Sequence, residues 1–307
     1  MANANASDPA TWTDAHLHAW DASVLRAPWF SQAPQFAGRF DLARYAAEGA
    51  GLASRGGVVF VEADMAPADR LREAELFAAH FADWARARGI AFATVAGIEP
   101  GAEGFARELA TVGRVAGVSG ARRVLHGGDI AFGTERFAAD LRALGAVRLS
   151  FDFCVRWTDL AVVEQLARTA PDTTLVLDHL GNPPIKQGWS SPERADWQRL
   201  VARVAACENV AVKWSAMFEN AGRAMSVDEA RPWFEWCLAC FGATRVMWGS
   251  NWPVCFAPSS GARLSQWIEV SAALAAELPV DEQAAILGLN AQRHYRCQDG
   301  AWHQPRT

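Results

Sequence analysis

The feature that most restricts this chain is a series of eight short apolar runs, most of them followed by a helix-forming stretch. They cover residues 12–16, 57–62, 91–98, 115–124, 147–155, 174–178, 210–214 and 245–248. Strand-type runs alternating with helical segments of roughly 10–20 residues imply βαβ crossovers and a parallel sheet. Their near-continuous Val, Leu, Ile and Phe content implies burial on both faces. Eight such units within 307 residues suit a closed (β/α)₈ (TIM) barrel better than an open sheet. The predicted fold is therefore α/β, one barrel domain over residues 1–307, with 1–10 as a flexible tail. The Pro/Gly-rich stretch 181–192 reads as a loop after the sixth strand, and no low-complexity linker divides the chain. The fourth strand is the weakest, because Gly117 and Gly120 interrupt it.

The bulk chemistry narrows the partner. With 29 Lys and Arg against 34 Asp and Glu, the net charge of −5 gives no broad positive field for nucleic acid or an anionic membrane. No run reaches the roughly 18 apolar residues that span a bilayer. Met1 to Ala10 carries no basic residue or apolar core, so a secretory signal is not expected and the cytoplasm is the expected address. The six cysteines are scattered and read as reduced thiols. Cys237 and Cys240 form a lone CxxC that reads as core packing rather than a zinc site. GxSxG, GxGxxG and P-loop patterns are all missing, which argues against a serine-hydrolase elbow or nucleotide binding. These observations point to a small-molecule substrate; they leave the oligomeric state open.

In a barrel of this kind the chemistry sits at the C-terminal ends of the strands. The first strand ends in Asp14-Ala15-His16-Leu17-His18. Residues two apart in a strand point the same way, so His16 and His18 both face the barrel mouth. There they can share a divalent cation or hold a substrate oxygen. The sixth strand ends at His179, which can ligate a metal, donate a proton or polarise a carbonyl. By the same alternation Asp178 points away and reads as a packing or supporting group. Arg122 and Arg123 end the fourth strand, and one of them is expected to aim inward and grip a carboxylate. Arg156, Lys213 and Glu62 are further candidate substrate contacts, Glu62 toward a metal or a hydroxyl. Fourteen tryptophans against two tyrosines is unusual. Trp157, Trp189, Trp214 and Trp252 fall near strand ends and are expected to form an aromatic wall for a ring-shaped substrate.

Three segments, DAHLHAW, LDHLGNPPI and MWGSNWPVC, together resemble the amidohydrolase superfamily, and within it the sugar-lactone and 2-pyrone-4,6-dicarboxylate lactonase branch (amidohydrolase-related family 2). FVEADMAPADRLREAE, VSGARRVLHG, SFDFCVRWTDL, NVAVKWS and NAQRHY support the resemblance in order along nearly the whole chain. The resemblance implies a (β/α)₈ barrel whose first-strand pair is His16 and His18, whose sixth-strand histidine is His179, and whose final catalytic acid falls on Asn251. That last position departs from the family pattern, because an amide cannot take a proton from water at neutral pH. Asn251 is either native, with chemistry shifted or lost, or an Asp→Asn exchange of the kind used to trap a substrate.

The expected function is hydrolysis of a sugar lactone or carboxylated lactone. Water attacks a carbonyl polarised by His16, His18 and His179, with or without one divalent ion, zinc being the best fit to three neutral imidazoles. The alternatives are an isomerase or decarboxylase on the same barrel, or a catalytically silent binding protein, which Asn251 motivates.

Overall fold

The computed structural model describes residues 12–49, 56–126, 132–256 and 260–297. The expected tail at 1–10 lies outside them. Eight parallel strands follow one another around the sheet in chain order: β1 (Thr13–Leu17), β4 (Gly57–Val61), β5 (Ala91–Gly97), β6 (Val118–Val124), β7 (Ser150–Cys154), β8 (Leu175–Leu177), β9 (Val210–Trp214) and β10 (Val246–Trp248). Two-residue strands β2 (Trp20–Asp21) and β3 (Arg39–Phe40) form a small antiparallel ribbon in the first crossover. The last strand returns to the first just beyond its own end. Asn251 N–H donates to the His16 carbonyl at 2.8 Å, and His18 N–H donates to the Trp252 carbonyl at 2.9 Å. Each of the eight expected strands is present; β1 and β9 match the length of their apolar runs, and the other six are one to four residues shorter.

The crossovers carry α1 (Leu42–Glu48), α2 (Arg70–Arg86), α3 (Phe105–Val112), α4 (Glu135–Ala146), α5 (Leu160–Thr169) and α6 (Pro192–Ala205). After β9 come α7 (Met217–Ala221) and α8 (Val227–Phe241). After β10 come α9 (Leu264–Ala275), α10 (Val280–Ala284) and α11 (Asn290–His294). Several helices begin where the sequence supplies a cap. Thr134 accepts from Phe137 N–H, Ser191 precedes Pro192, and Ser226 forms a reciprocal pair with Glu229. Among the described residues, no helix is long and apolar enough to cross a membrane.

Alternation sorts the strand residues into two cores. Val58, Phe60, Phe151, Phe153, Leu175, Leu177, Trp214 and Trp248 face the helices. Ala15, Val59, Val61, Val95, Val176, Ala211 and Met247 fill the barrel interior, closed from below by Tyr295. β1 breaks the alternation once. Its pairing with β4 shifts between Asp14 and Leu17, a bulge that adds one residue. Asp14 and Leu17 therefore both face outward, Asp14 accepting from the Tyr45 hydroxyl at 2.8 Å. Ala15 and His16 are left to the interior. Gly249 makes room for this: a Cβ there would stand 2.8 Å from the His16 Cβ and 3.1 Å from its backbone nitrogen.

Candidate functional site

Above the apolar plug the barrel interior turns polar. Lys213, Asp152 and Asp178 are all fully buried, and the Lys213 ammonium lies 2.6 Å from Asp152 and 3.1 Å from Asp178. Asp152 also accepts from the Tyr295 hydroxyl at 2.6 Å. Arg122 Nε lies 2.9 Å from the second oxygen of Asp178, and its Nη1 donates to the Glu62 carbonyl at 2.8 Å and to its carboxylate at 3.2 Å. Burial alone pushes Asp178 up, but Lys213, His16 and Arg122 outweigh it and hold the carboxyl well below its usual range. This floor of ion-paired carboxylates gives the groups above it fixed positions.

Asp178 corrects the sequence expectation. β8 ends at Leu177, so alternation from the inward Val176 carries Asp178 inward too. His179 reaches the same side only because His179 and Leu180 adopt left-handed backbone conformations, φ 56° and 55°. Two consecutive side chains thus meet His16. Asp178 approaches its Nδ1 to 3.3 Å, and the His179 ring stands 4.5 Å from the His16 ring.

The three imidazoles are neutral. Burial drives His16 well below its ordinary value; burial and the Arg122 charge lower His18 to about 3, and burial lowers His179 to about 3. His18 Nδ1 lies 2.8 Å from the Val61 carbonyl, which can only accept, so Nδ1 carries the hydrogen and Nε2 is bare. That nitrogen faces His16 Nε2 at 3.0 Å. His16 Nδ1 in turn has an ammonium donor, Lys213 at 3.1 Å, and a carboxylate acceptor, Asp178. Two proton arrangements fit. Lys213 can donate to His16 Nδ1 while His16 Nε2–H donates to His18. Alternatively His16 Nδ1–H donates to Asp178, and two lone pairs converge on one point.

The second arrangement suits a divalent cation. Two nitrogens about 2.0–2.1 Å from one tetrahedral ion stand roughly 3.3 Å apart, close to the spacing found here. A carboxylate behind the ligating imidazole is the usual orienting partner. Donor atoms of His16, Asp178 and His179 all lie within 4.8 Å of one another. His179 is oriented by Ser215, whose hydroxyl lies 2.8 Å from Nδ1.

A cleft of about 510 Å³ opens above this cluster, lined among others by His18, His179, Arg122, Trp29, Glu219 and Asn251. Asn251 has a left-handed backbone, φ 52°, and its amide donates to Glu219 at 2.6 Å. Crowding by the surrounding protein raises the Glu219 carboxyl above its ordinary value, although solvent still reaches the side chain.

The structure brings His16, His18, His179, Arg122, Glu62, Lys213 and Asn251 together, with His16, Glu62 and Lys213 beneath the cleft rather than lining it. It does not bring Arg123, Arg156 or the chosen tryptophans to the cleft wall. Arg123 pairs with Asp64 at 2.5 Å, and Arg156 is exposed. Trp157 sits half-buried in the turn at Trp157–Asp159, against the helical layer, and Trp189 packs against Trp233. Trp214 follows the inward Lys213 and so points outward, against Phe234 and Trp267. Trp252 is buried against Phe40 and Tyr45 and donates to Glu48 at 2.7 Å. The tryptophan at the cleft is Trp29, held by its indole N–H to the Ala63 carbonyl at 2.9 Å.

Sequence reasoning missed Trp29, because it lies in the first crossover rather than at a strand end. Glu219 was missed as well. Its signal was a lone carboxylate in the apolar run just after β9, where a barrel presents its catalytic rim.

Comparison with known proteins agrees with this architecture. The chain is 30% identical to an L-fucono-1,5-lactonase of Burkholderia ambifaria over 155 residues, 50% of this chain and 52% of that protein. It is 25% identical to an L-rhamnono-gamma-lactonase of Scheffersomyces stipitis over 129 residues, 38% of each. The chain thus spans about half the length, or less, of these curated relatives. A crystal structure of an amidohydrolase from Burkholderia multivorans with bound Zn superposes with a TM-score of 0.78 at 25% identity, covering 94% of this chain and all of that one. The family model described as Amidohydrolase matches residues 13–297. Eight parallel strands, a histidine cluster at their C-terminal rim and a family match over nearly the whole chain lead to one conclusion: the protein belongs to the amidohydrolase family.

Proposed function

We propose that this protein hydrolyses the ester of a neutral sugar lactone. The observation that carries the reading is a cluster of three neutral imidazoles, two of which, His18 and His179, line a cleft whose charges are already balanced, with His16 against both from beneath. Among the described lining residues the permanent cation is Arg122, and it is paired with Asp178 and Glu62. Asp64 and Glu219 add carboxylates. Such a lining favours a polyhydroxylated ring over a dicarboxylate, and lactonase relatives that act on fucono- and rhamnono-lactones support the choice.

His16, His18 and His179 would hold one divalent ion, zinc by the donor set and by analogy with the Zn-bound neighbour, and it would supply Lewis-acid polarisation of the ring carbonyl. Asp178 and Ser215 keep the imidazoles turned toward the cleft. The Arg122 charge, fixed at the cleft floor, stabilises negative charge as it develops on the carbonyl oxygen. Trp29 offers an apolar face to the ring.

The test measures initial rates on a panel of five- and six-membered sugar lactones, read as proton release in weakly buffered solution. Hydrolysis of at least one aldonolactone, and none of a dicarboxylated lactone, is expected. If no lactone is opened and calorimetry detects none bound, the reading is wrong.

A further inference from the structure

We infer that Glu219 is the general base of the reaction, carrying the proton that the residue at position 251 cannot accept. The inference rests on the lactonase reading above. An amide at 251 leaves that position without a base, yet its Nδ2 donates to a carboxylate 2.6 Å away in the same cleft. The hydrogen bond uses one lone pair of Glu219 Oε2. The other oxygen and the remaining lone pairs are free to meet a water molecule, and the side chain is open to solvent from the cleft.

The local backbone shows how the carboxylate is held. Glu219 sits in the short helix α7, bracketed by two left-handed residues, Ala216 at φ 57° and Gly222 at φ 73°. Ala216 is fully buried, and a left-handed non-glycine residue persists only where its surroundings impose it. α7 begins two residues beyond β9, so the turn at Ala216 delivers Glu219 to the barrel rim. Asn251, left-handed and tied by its own N–H to the His16 carbonyl, closes the pair from the loop after the neighbouring strand β10. Asn251 is then a positioning residue and Glu219 the catalytic one.

The chemistry balances without a further reactant. Glu219 takes a proton from water as the water oxygen bonds to the lactone carbonyl carbon. The tetrahedral oxyanion re-forms the carbonyl and breaks the bond from carbon to the ring oxygen. The proton on Glu219 passes to the departing alkoxide, which becomes the hydroxyl of the product acid. The acid then ionises and releases one proton. The charged and titratable groups facing Glu219 are Arg122, Lys186, Cys154 and Cys255, with His18, His179, His126 and Asp64 sharing the cleft lining. Its raised proton affinity moves it toward the range where a base is effective.

The test is Glu219→Gln, which keeps size and can still accept from Asn251. We expect kcat to fall by about 10²-fold or more, the usual scale for lost acid–base help. KM and melting temperature should change little, and the acid limb of the pH–rate profile should vanish. Glu219→Asp should retain that limb at reduced rate. The decisive variant is Glu219→Gln combined with Asn251→Asp, which moves the carboxylate across the same hydrogen bond and should restore at least about tenfold of the lost rate. If Glu219→Gln keeps the parent rate and its acid limb while the parent opens lactones, the inference fails and the lactonase reading stands. A parent protein that opens no lactone removes both.

Discussion

Replacing Lys213 by methionine tests the charged floor of the barrel. The ammonium is fully buried and holds Asp152 at 2.6 Å, Asp178 at 3.1 Å and His16 Nδ1 at 3.1 Å. Methionine keeps most of the volume but leaves a buried carboxylate without its cation, a loss of about 3–5 kcal/mol. Asp178 retains Arg122, so Asp152, left with only the Tyr295 hydroxyl, bears most of the cost. At about 2.1 cal/mol/K per residue, 307 residues give an unfolding entropy of roughly 0.6 kcal/mol/K, so Tm should drop by about 5–8 °C. The deficit should also depend on pH. Burial already pushes Asp152 up to about 6 against the pull of Lys213. Without the lysine its folded value rises further above the unfolded one. A carboxyl raised in this way destabilises the fold above its folded pKa and is relieved as pH falls through it. The deficit should therefore be largest above pH 7 and shrink toward pH 5. Thermal and urea unfolding of both proteins across that range give the answer. Adding Asp152→Asn to the variant should recover part of the loss. A deficit under about 1 kcal/mol, or one that neither acid nor Asp152→Asn relieves, would refute the argument.

Two other outcomes follow from the same geometry. Elemental analysis of protein purified without chelator should give no more than one equivalent of divalent metal per chain, and His16→Ala should abolish it; two equivalents would mean that Lys213 and Asp178 do not close the lower side of the site. His179→Asn should keep a cooperative unfolding transition while lowering lactone turnover by about 10²-fold or more, and unchanged turnover would make this histidine structural.

Much of this protein was determined by its sequence alone. Near-continuous apolar runs between helical segments specify parallel strands buried on both faces, and eight of them specify the barrel. Polar residues at the ends of those runs then had to lie at one rim, so His16, His18 and His179 were legible as a group. The rule was also stronger than the use made of it. Lys213 and Trp214 are adjacent in a strand, so only one of them can face inward.

What only the tertiary structure decided lies where strand periodicity stops. The bulge in β1, the left-handed turn at His179 and Leu180, and the left-handed residues at Ala216 and Asn251 each redirect side chains by amounts that no two-residue period contains. These turns bring His179 to the same side as Asp178 and set Glu219 against Asn251. The backbone adopts them because packing from distant strands and helices outweighs the local preference. A periodic pattern records which face of an element is buried; it carries no information about a side chain beyond the element's last hydrogen bond, and His18, His179, Glu219 and Asn251 sit there.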